Sequence, residues 1–211
     1  MATAGACEQA ARRAAAATGV PEKILLAIAL AESGRRVGGR FVPWPWTVNA
    51  AGEGRWFASR GEALAFARRR LESGARNFDM GCFQINFRWH GHAFVSLTEM
   101  LDPLAGALYA GRLLRRLHAE SDNWVAAAGA YHSRTESHAR RYRARFAQIL
   151  ADLEDGPASA ERGQTDPAWP AVRPAEGGQL LALAGASGPS LGSLVPRSAA
   201  ARAPLLIGMQ P

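Results

Sequence analysis

Lysine is almost missing from this chain: of 25 basic residues only Lys23 is a lysine, and the rest are arginine. The arginines are scattered rather than blocked, so codon bias accounts for them before a polybasic tract does. No apolar run approaches the ~20 residues that cross a bilayer as a helix. The longest, Ile24 to Ala31, is stopped by Glu32. The first residues, Met1 to Ala6, lack the apolar core of a signal peptide. The expectation is either a protein that is not exported or one whose leader is removed or lies outside this sequence. Cysteine is scarce: Cys7 and Cys82 are the two, and neither belongs to a CxxC or a Cys/His zinc spacing. That excludes a disulfide-dense scaffold and leaves two readings, one bridge or two buried thiols. Aromatics thin out after Asp155, where Pro, Gly, Ala and Ser dominate. Such a segment buries too little to fold, so residues 155–211 are expected to be a disordered tail. Leu180-Leu181-Ala182-Leu183 and Leu205-Leu206-Ile207 are short apolar islands in it.

What remains is ample for one core. The chain has 211 residues, 48% hydrophobic and 20% charged, with a formal net charge of +7. The charge favours anionic partners. Residues 1–6 read as a short extension and 7–154 as a single, mainly helical domain. Residues 7–18 are Ala-rich and end at Gly19. Pro21 suits the first position of a second helix and Gly34 the position past its end. Helical periodicity then lapses around Pro43-Trp44-Pro45-Trp46. Thr47-Val48-Asn49 and Arg55-Trp56-Phe57 flank Ala-Ala-Gly-Glu-Gly, the pattern of a hairpin. Ser59 or Arg60 opens another helix, to about Gly74. Asn77 to Trp89 reads as a loop. Ser96-Leu97-Thr98-Glu99 is a capping box. Asp102, then Asp122 or Asn123, then Ser137 cap three more helices, ending near His118, Tyr131 and Leu153.

Three segments carry chemistry. Glu32 closes the apolar helix and shares a face with Leu25, Ile28 and Ala29. A carboxyl group held in such surroundings favours its protonated form, which suits protonation of a poor leaving oxygen. The bland alternative is a solvated Glu at a helix end, although a carboxylate there opposes the helix dipole. Gly81-Cys82-Phe83-Gln84-Ile85-Asn86 is the second segment. Gly81 permits an unusual turn, and Gln84 and Asn86 place amides that suit sugar hydroxyls and N-acetyl groups. Phe83 and Ile85 then point to the core. The third is Ala130-Tyr131-His132 after an Ala-rich helix, where Tyr131 either anchors the core, the reading the stretch alone favours, or offers its hydroxyl to Glu32. Asp79 is the nearest second carboxylate, read as a turn cap beside Gly81. Trp44, Trp46, Trp56 and Trp89 are sugar platforms or core, Trp46 being the one assigned to the groove. His90 and His92 form a pair without a third ligand, so neither metal nor cofactor is expected.

In this order and spacing the segments resemble the SLT-type lytic transglycosylases, relatives of goose-type lysozyme. Glu32-Ser33 looks like the family's catalytic Glu-Ser and Gly81 to Asn86 like its Gly-x-x-Gln-Ile-Asn. Ala130-Tyr131 looks like the start of its Ala-Tyr-Asn-x-Gly, and Tyr142 like a later family tyrosine. Two departures stand out: Phe83 replaces the usual Met, and His132-Ser133-Arg134 replaces Asn-x-Gly. The long insertion between Arg35 and Asp79 resembles the exported branch that serves flagella or secretion systems. The resemblance implies a lysozyme-like α+β fold with a small β lobe, and an enzyme of the cell wall. Glu32 would be the catalytic residue, with Ser33, Gln84, Asn86, Tyr131, Tyr142 and Trp46 binding peptidoglycan glycan strands. It implies a periplasmic location, and with it a Cys7–Cys82 bridge worth roughly 4 kcal/mol. The tail is a candidate contact for an envelope machine. Two other classes stand beside this one. One is a non-catalytic peptidoglycan-binding or assembly subunit. The other is a nucleic-acid binder using Arg140, Arg141, Arg143 and Arg145, disfavoured because no nucleic-acid motif accompanies the arginines.

Overall fold

A computed structural model describes residues 5–155, so residues 1–4 of the extension and 156–211 of the expected tail lie outside the described residues, while Ala6 already belongs to the first helix and Asp155 to the last. The described residues form a mainly helical α+β fold, as expected. α1 (Ala6–Thr18) buries Cys7, Ala10, Ala11 and Ala14, the i, i+3, i+4, i+7 stripe of one helix face. α2 (Glu22–Ser33) is buried almost all round. That is what an uninterrupted Ile-Leu-Ala run requires. Pro21 sits one position earlier than expected, as the cap residue, and its carbonyl accepts from the N–H groups of Ile24 and Leu25.

Two antiparallel ladders follow. β1 (Gly34–Val37) pairs with β2 (Arg40–Pro43), and β3 (Thr47–Ala50) pairs with β4 (Glu53–Trp56). The second hairpin is the expected one. The first lies where no strand was expected, although Gly38-Gly39 between two short runs is itself a hairpin signal. Both glycines there have positive φ, 56° and 81°. Gly34 does follow the helix, but not as a left-handed cap: its φ is −58°. A side chain there would come within 2.2 Å of the Phe41 ring and 2.3 Å of the Leu30 carbonyl, so close approach is what demands glycine.

α3 (Arg60–Glu72) is capped by Ser59, whose hydroxyl accepts from the Glu62 N–H at 3.2 Å. The expected loop 77–89 is more ordered than its sequence suggests. It holds β5 (Phe78–Met80), β6 (Ile85–Asn86) and α4 (Phe87–His90), and β5 and β6 extend the second hairpin to the order β4-β3-β5-β6. A 3₁₀ turn (Gly91–Ala93) leads to α5 (Leu97–Met100). Ser96 caps α5, but Glu99 reaches back to the N–H of Val95, one residue beyond the usual box partner. α6 (Pro103–Ser121) is capped by Asp102, α7 (Trp124–His132) by Asn123, and α8 (Glu136–Asp155) completes the bundle. α2 lies at the centre, packed against α1, α6 and α8, with β1 and β2 at its C-terminal end. The site therefore forms where the buried helix meets the sheet.

Candidate active site

Glu32 occupies the last turn of α2 with its side chain only 6% exposed. Its Oε1 is buried and has no hydrogen-bond partner among the described residues. An unsatisfied buried carboxylate oxygen is costly, and such groups cluster where function requires them. The neighbouring Ser33 is fully engaged. Its hydroxyl is shared between the carbonyls of Ala29 (3.0 Å) and Cys82 (2.9 Å) and accepts from the Trp44 N–H at 3.2 Å. Its carbonyl accepts from the Trp56 indole at 3.0 Å. Ser33 therefore ties α2 to the β lobe and to the glutamine turn.

That turn is pinned from several sides. Gly81 has φ +81° and donates its N–H to the Thr47 carbonyl at 2.8 Å. Gln84 is itself left-handed, with φ +43°. This strain is uncommon for a side-chain-bearing residue and is held by the surroundings. The Gln84 amide donates back to the carbonyls of Gly81 (2.9 Å) and Thr47 (3.3 Å). Phe83 and Ile85 go into the core, as expected. Cys7 and Cys82 form a disulfide with a Cα–Cα distance of 5.7 Å, tying α1 to the same turn.

Several expected roles change. The Tyr131 hydroxyl does not reach Glu32: it donates to the Phe83 carbonyl at 2.7 Å, making Tyr131 a second brace for the turn. Asn86 is fully buried, and its amide donates to Asn77 and Asp79, both at 2.9 Å. Its carbonyl oxygen caps α4 through the Trp89 N–H. Asp79 is not a turn cap. It lies inside β5, 3% exposed, opposite Asn86 in the ladder. Burial pushes its carboxyl well above the usual carboxylate range, the Asn86 hydrogen bond opposes this, and the negative charge of Glu32 adds to it. Trp46 is half-buried against the core, next to Thr47. Trp44 and Trp56 spend their indole N–H groups on the Phe57 and Ser33 carbonyls.

The residue that sequence reasoning underused is His132. Its Nδ1 lies 3.9 Å from Glu32 Oε1, and its ring stacks on Tyr142 with centroids 4.4 Å apart and planes 9° apart. Tyr142 is 6% exposed, and its hydroxyl stands against Glu32 in a hydrogen bond too loose to satisfy it fully. Burial and then the charge of Glu32 raise its pKa well above the ordinary phenol value, and Tyr131 is raised for the same two reasons in the same order. The signal available was that His132 stands where the resembled motif has Asn. Elsewhere, His90 is bound through Nδ1 to the Tyr109 hydroxyl at 2.5 Å, and burial pushes its pKa down to about 4. Among the described residues no group of three His, Cys, Asp or Glu is placed to hold a metal. Of the arginines on α8, Arg143 is paired with Glu136 at 2.6 Å.

The arrangement is thus one buried acid at a helix end. A rigid turn, a phenol and an imidazole surround it. Such an acid can hand a proton to an oxygen brought against it and take one back. No protein-family model, curated protein or solved structure matches this chain.

Proposed function

We propose that this protein is a peptidoglycan lytic transglycosylase, acting in the periplasm on the β-1,4 bond between N-acetylmuramic acid and N-acetylglucosamine. The observation that carries the reading is Glu32: a carboxyl group 6% exposed, with one oxygen unpartnered, at the end of a buried helix. In the reaction Glu32 protonates the glycosidic oxygen, and the C1–O bond breaks with its electron pair going to that oxygen. The substrate's acetamido group supports the cationic carbon. Glu32, now a carboxylate, takes the proton of the muramyl C6 hydroxyl, whose oxygen closes on C1. The product is a 1,6-anhydro sugar, and no water is consumed.

Asp79 supports this over hydrolysis. A hydrolase needs a second, ionised carboxylate as nucleophile or water-activating base. Asp79 is buried in a strand, bonded to Asn86 and held toward its protonated form. The braced turn at Gln84 gives the acid a fixed wall against which a glycan could lie. Its amide groups are committed to protein carbonyls, so the sugar contacts fall to groups with spare capacity.

The test is a digest of purified peptidoglycan by the full chain, wild type beside Glu32→Gln, read by mass spectrometry. Anhydromuropeptides from wild type alone are expected. Products one water heavier would make it a hydrolase. No product, with retained binding to the sacculus, would favour a non-catalytic binding or assembly subunit.

A further inference from the structure

His132 ends α7 with its side chain 28% exposed and its Nδ1 buried without a hydrogen-bond partner among the described residues. Three polar atoms without full hydrogen bonds converge here: Glu32 Oε1, His132 Nδ1 and the Tyr142 hydroxyl. They come from three different helices, α2, α7 and α8. The stack on Tyr142 sets the plane of the imidazole and so turns a ring edge, here the one carrying Nδ1, toward Glu32.

We propose that His132 is the positioning partner of Glu32, donating its Nδ1–H to the carboxylate once Glu32 has given up its proton. The inference rests on the reading of Glu32 as the proton donor. After that transfer a full negative charge sits on a buried group, and such a charge needs donors fixed in advance. The other nearby donors are committed. The Ser33 hydroxyl serves the Ala29 and Cys82 carbonyls, the Tyr131 hydroxyl serves Phe83, and the Gln84 amide serves Gly81 and Thr47. Asp79, buried in β5, has its hydrogen bond with Asn86. The Tyr142 hydroxyl already makes a loose hydrogen bond with Glu32, and His132 Nδ1 is left to supply a second donor. At 3.9 Å the imidazole stands off the carboxylate, and a contraction of about 1 Å completes a charge-assisted bond when Glu32 ionises. His132 gains and loses no proton in this step: the proton of Glu32 goes to the glycosidic oxygen and returns from the C6 hydroxyl. An asparagine in this position would offer an amide N–H at the same distance from the backbone as Nδ1. The His-for-Asn difference thus keeps a donor in place.

The experiment compares kcat and KM of the full chain and its His132→Ala, His132→Asn and His132→Gln variants, with Glu32→Gln as the blank. The substrate is purified peptidoglycan glycan strands, and thermal unfolding is followed in parallel. The alanine variant should lose about 10²-fold in kcat with KM within about threefold. Asparagine should recover to within about tenfold of wild type. Glutamine, whose amide lies one methylene further out, should stay near the alanine value. If the alanine variant does not fold, the Asn–Gln contrast decides. An unchanged kcat in the alanine variant, equal Asn and Gln rates, or a loss confined to KM would overturn the positioning role. A wild type that releases no anhydro product would overturn the transglycosylase reading, and this inference with it. An active wild type indifferent to His132 would sink this inference alone.

Discussion

Removing the Cys7–Cys82 bridge should cost this domain a large part of its stability. The two cysteines are 75 residues apart in sequence. In the chain-entropy view, closing a loop of that length removes about 15 cal/mol/K from the unfolded chain, or about 4.5 kcal/mol at 25 °C. Native stabilities run at about 5–15 kcal/mol, so the bridge is a substantial share of the total. Both sulfurs are buried, Cys7 at 0% and Cys82 at 2% exposure, so truncation also loses packing. The bridge joins α1 to the residue whose carbonyl accepts from Ser33 and whose neighbours, Phe83 and Gln84, form the site wall. The perturbation is Cys7→Ala with Cys82→Ala, compared with wild type with and without reductant. The assay is urea unfolding followed by tryptophan fluorescence. A loss of about 3–5 kcal/mol is expected in the double variant, and reduced wild type should agree with it within about 1 kcal/mol. A loss below about 1 kcal/mol would refute the loop-entropy reasoning. Two alkylatable thiols in the unreduced, unfolded protein would remove its premise.

Other expectations follow from single groups. Tyr131→Phe should destabilise the domain by about 1–2 kcal/mol, because the buried Phe83 carbonyl loses its donor at 2.7 Å. Its turnover should survive, and loss of all activity without loss of stability would return Tyr131 to a direct role at Glu32. Asp79 bears on pH. Its folded-state pKa is raised above the ordinary 3.8, so the folded protein holds a proton that the unfolded chain has released. The stability tied to that proton is complete below about pH 3.8 and is lost as pH rises through the raised value. Asp79→Asn keeps an oxygen for the Asn86 amide and should flatten this decline, making the variant the more stable protein near pH 7. Denaturant midpoints from pH 4 to 8 decide it, and a variant that falls with pH as steeply as wild type would contradict the assignment. Glu32→Gln should leave the unfolding free energy within about 1 kcal/mol of wild type while removing turnover, because the amide fills the same volume.

Local signals were strong at four helix starts and failed at the fifth, where Ser137 lies inside α8 rather than before it. Ser59, Ser96, Asp102 and Asn123 each accept backbone N–H groups at the helix starts they were expected to mark. Each does so through a side chain and an N–H only two or three residues apart. The Thr47–Trp56 hairpin and the inward faces of Phe83 and Ile85 were legible for the same reason, since alternation and turn chemistry act over short range. The very short strands β5 and β6, inside the segment expected to be a loop, were not legible. β5 finds its ladder partner in β3, Asn49 opposite Asp79, and β6 pairs only with β5, so the assembled sheet is what stabilises them.

The sequence by itself determined that α2 is buried and that Glu32 ends it, because an apolar run of that length has no other stable place. It also determined that Gly81 to Asn86 makes a turn of special geometry. Which hydroxyl faces which acceptor was decided only by the tertiary structure. Tyr131 turned to Phe83 instead of Glu32, Asn86 locked onto Asp79, and His132 came within 3.9 Å of the acid. The reason is physical. A buried polar group takes the partner that packing brings within about 3 Å, and angstrom-scale placement between helices 50 to 100 residues apart is a property of the whole core rather than of any local pattern.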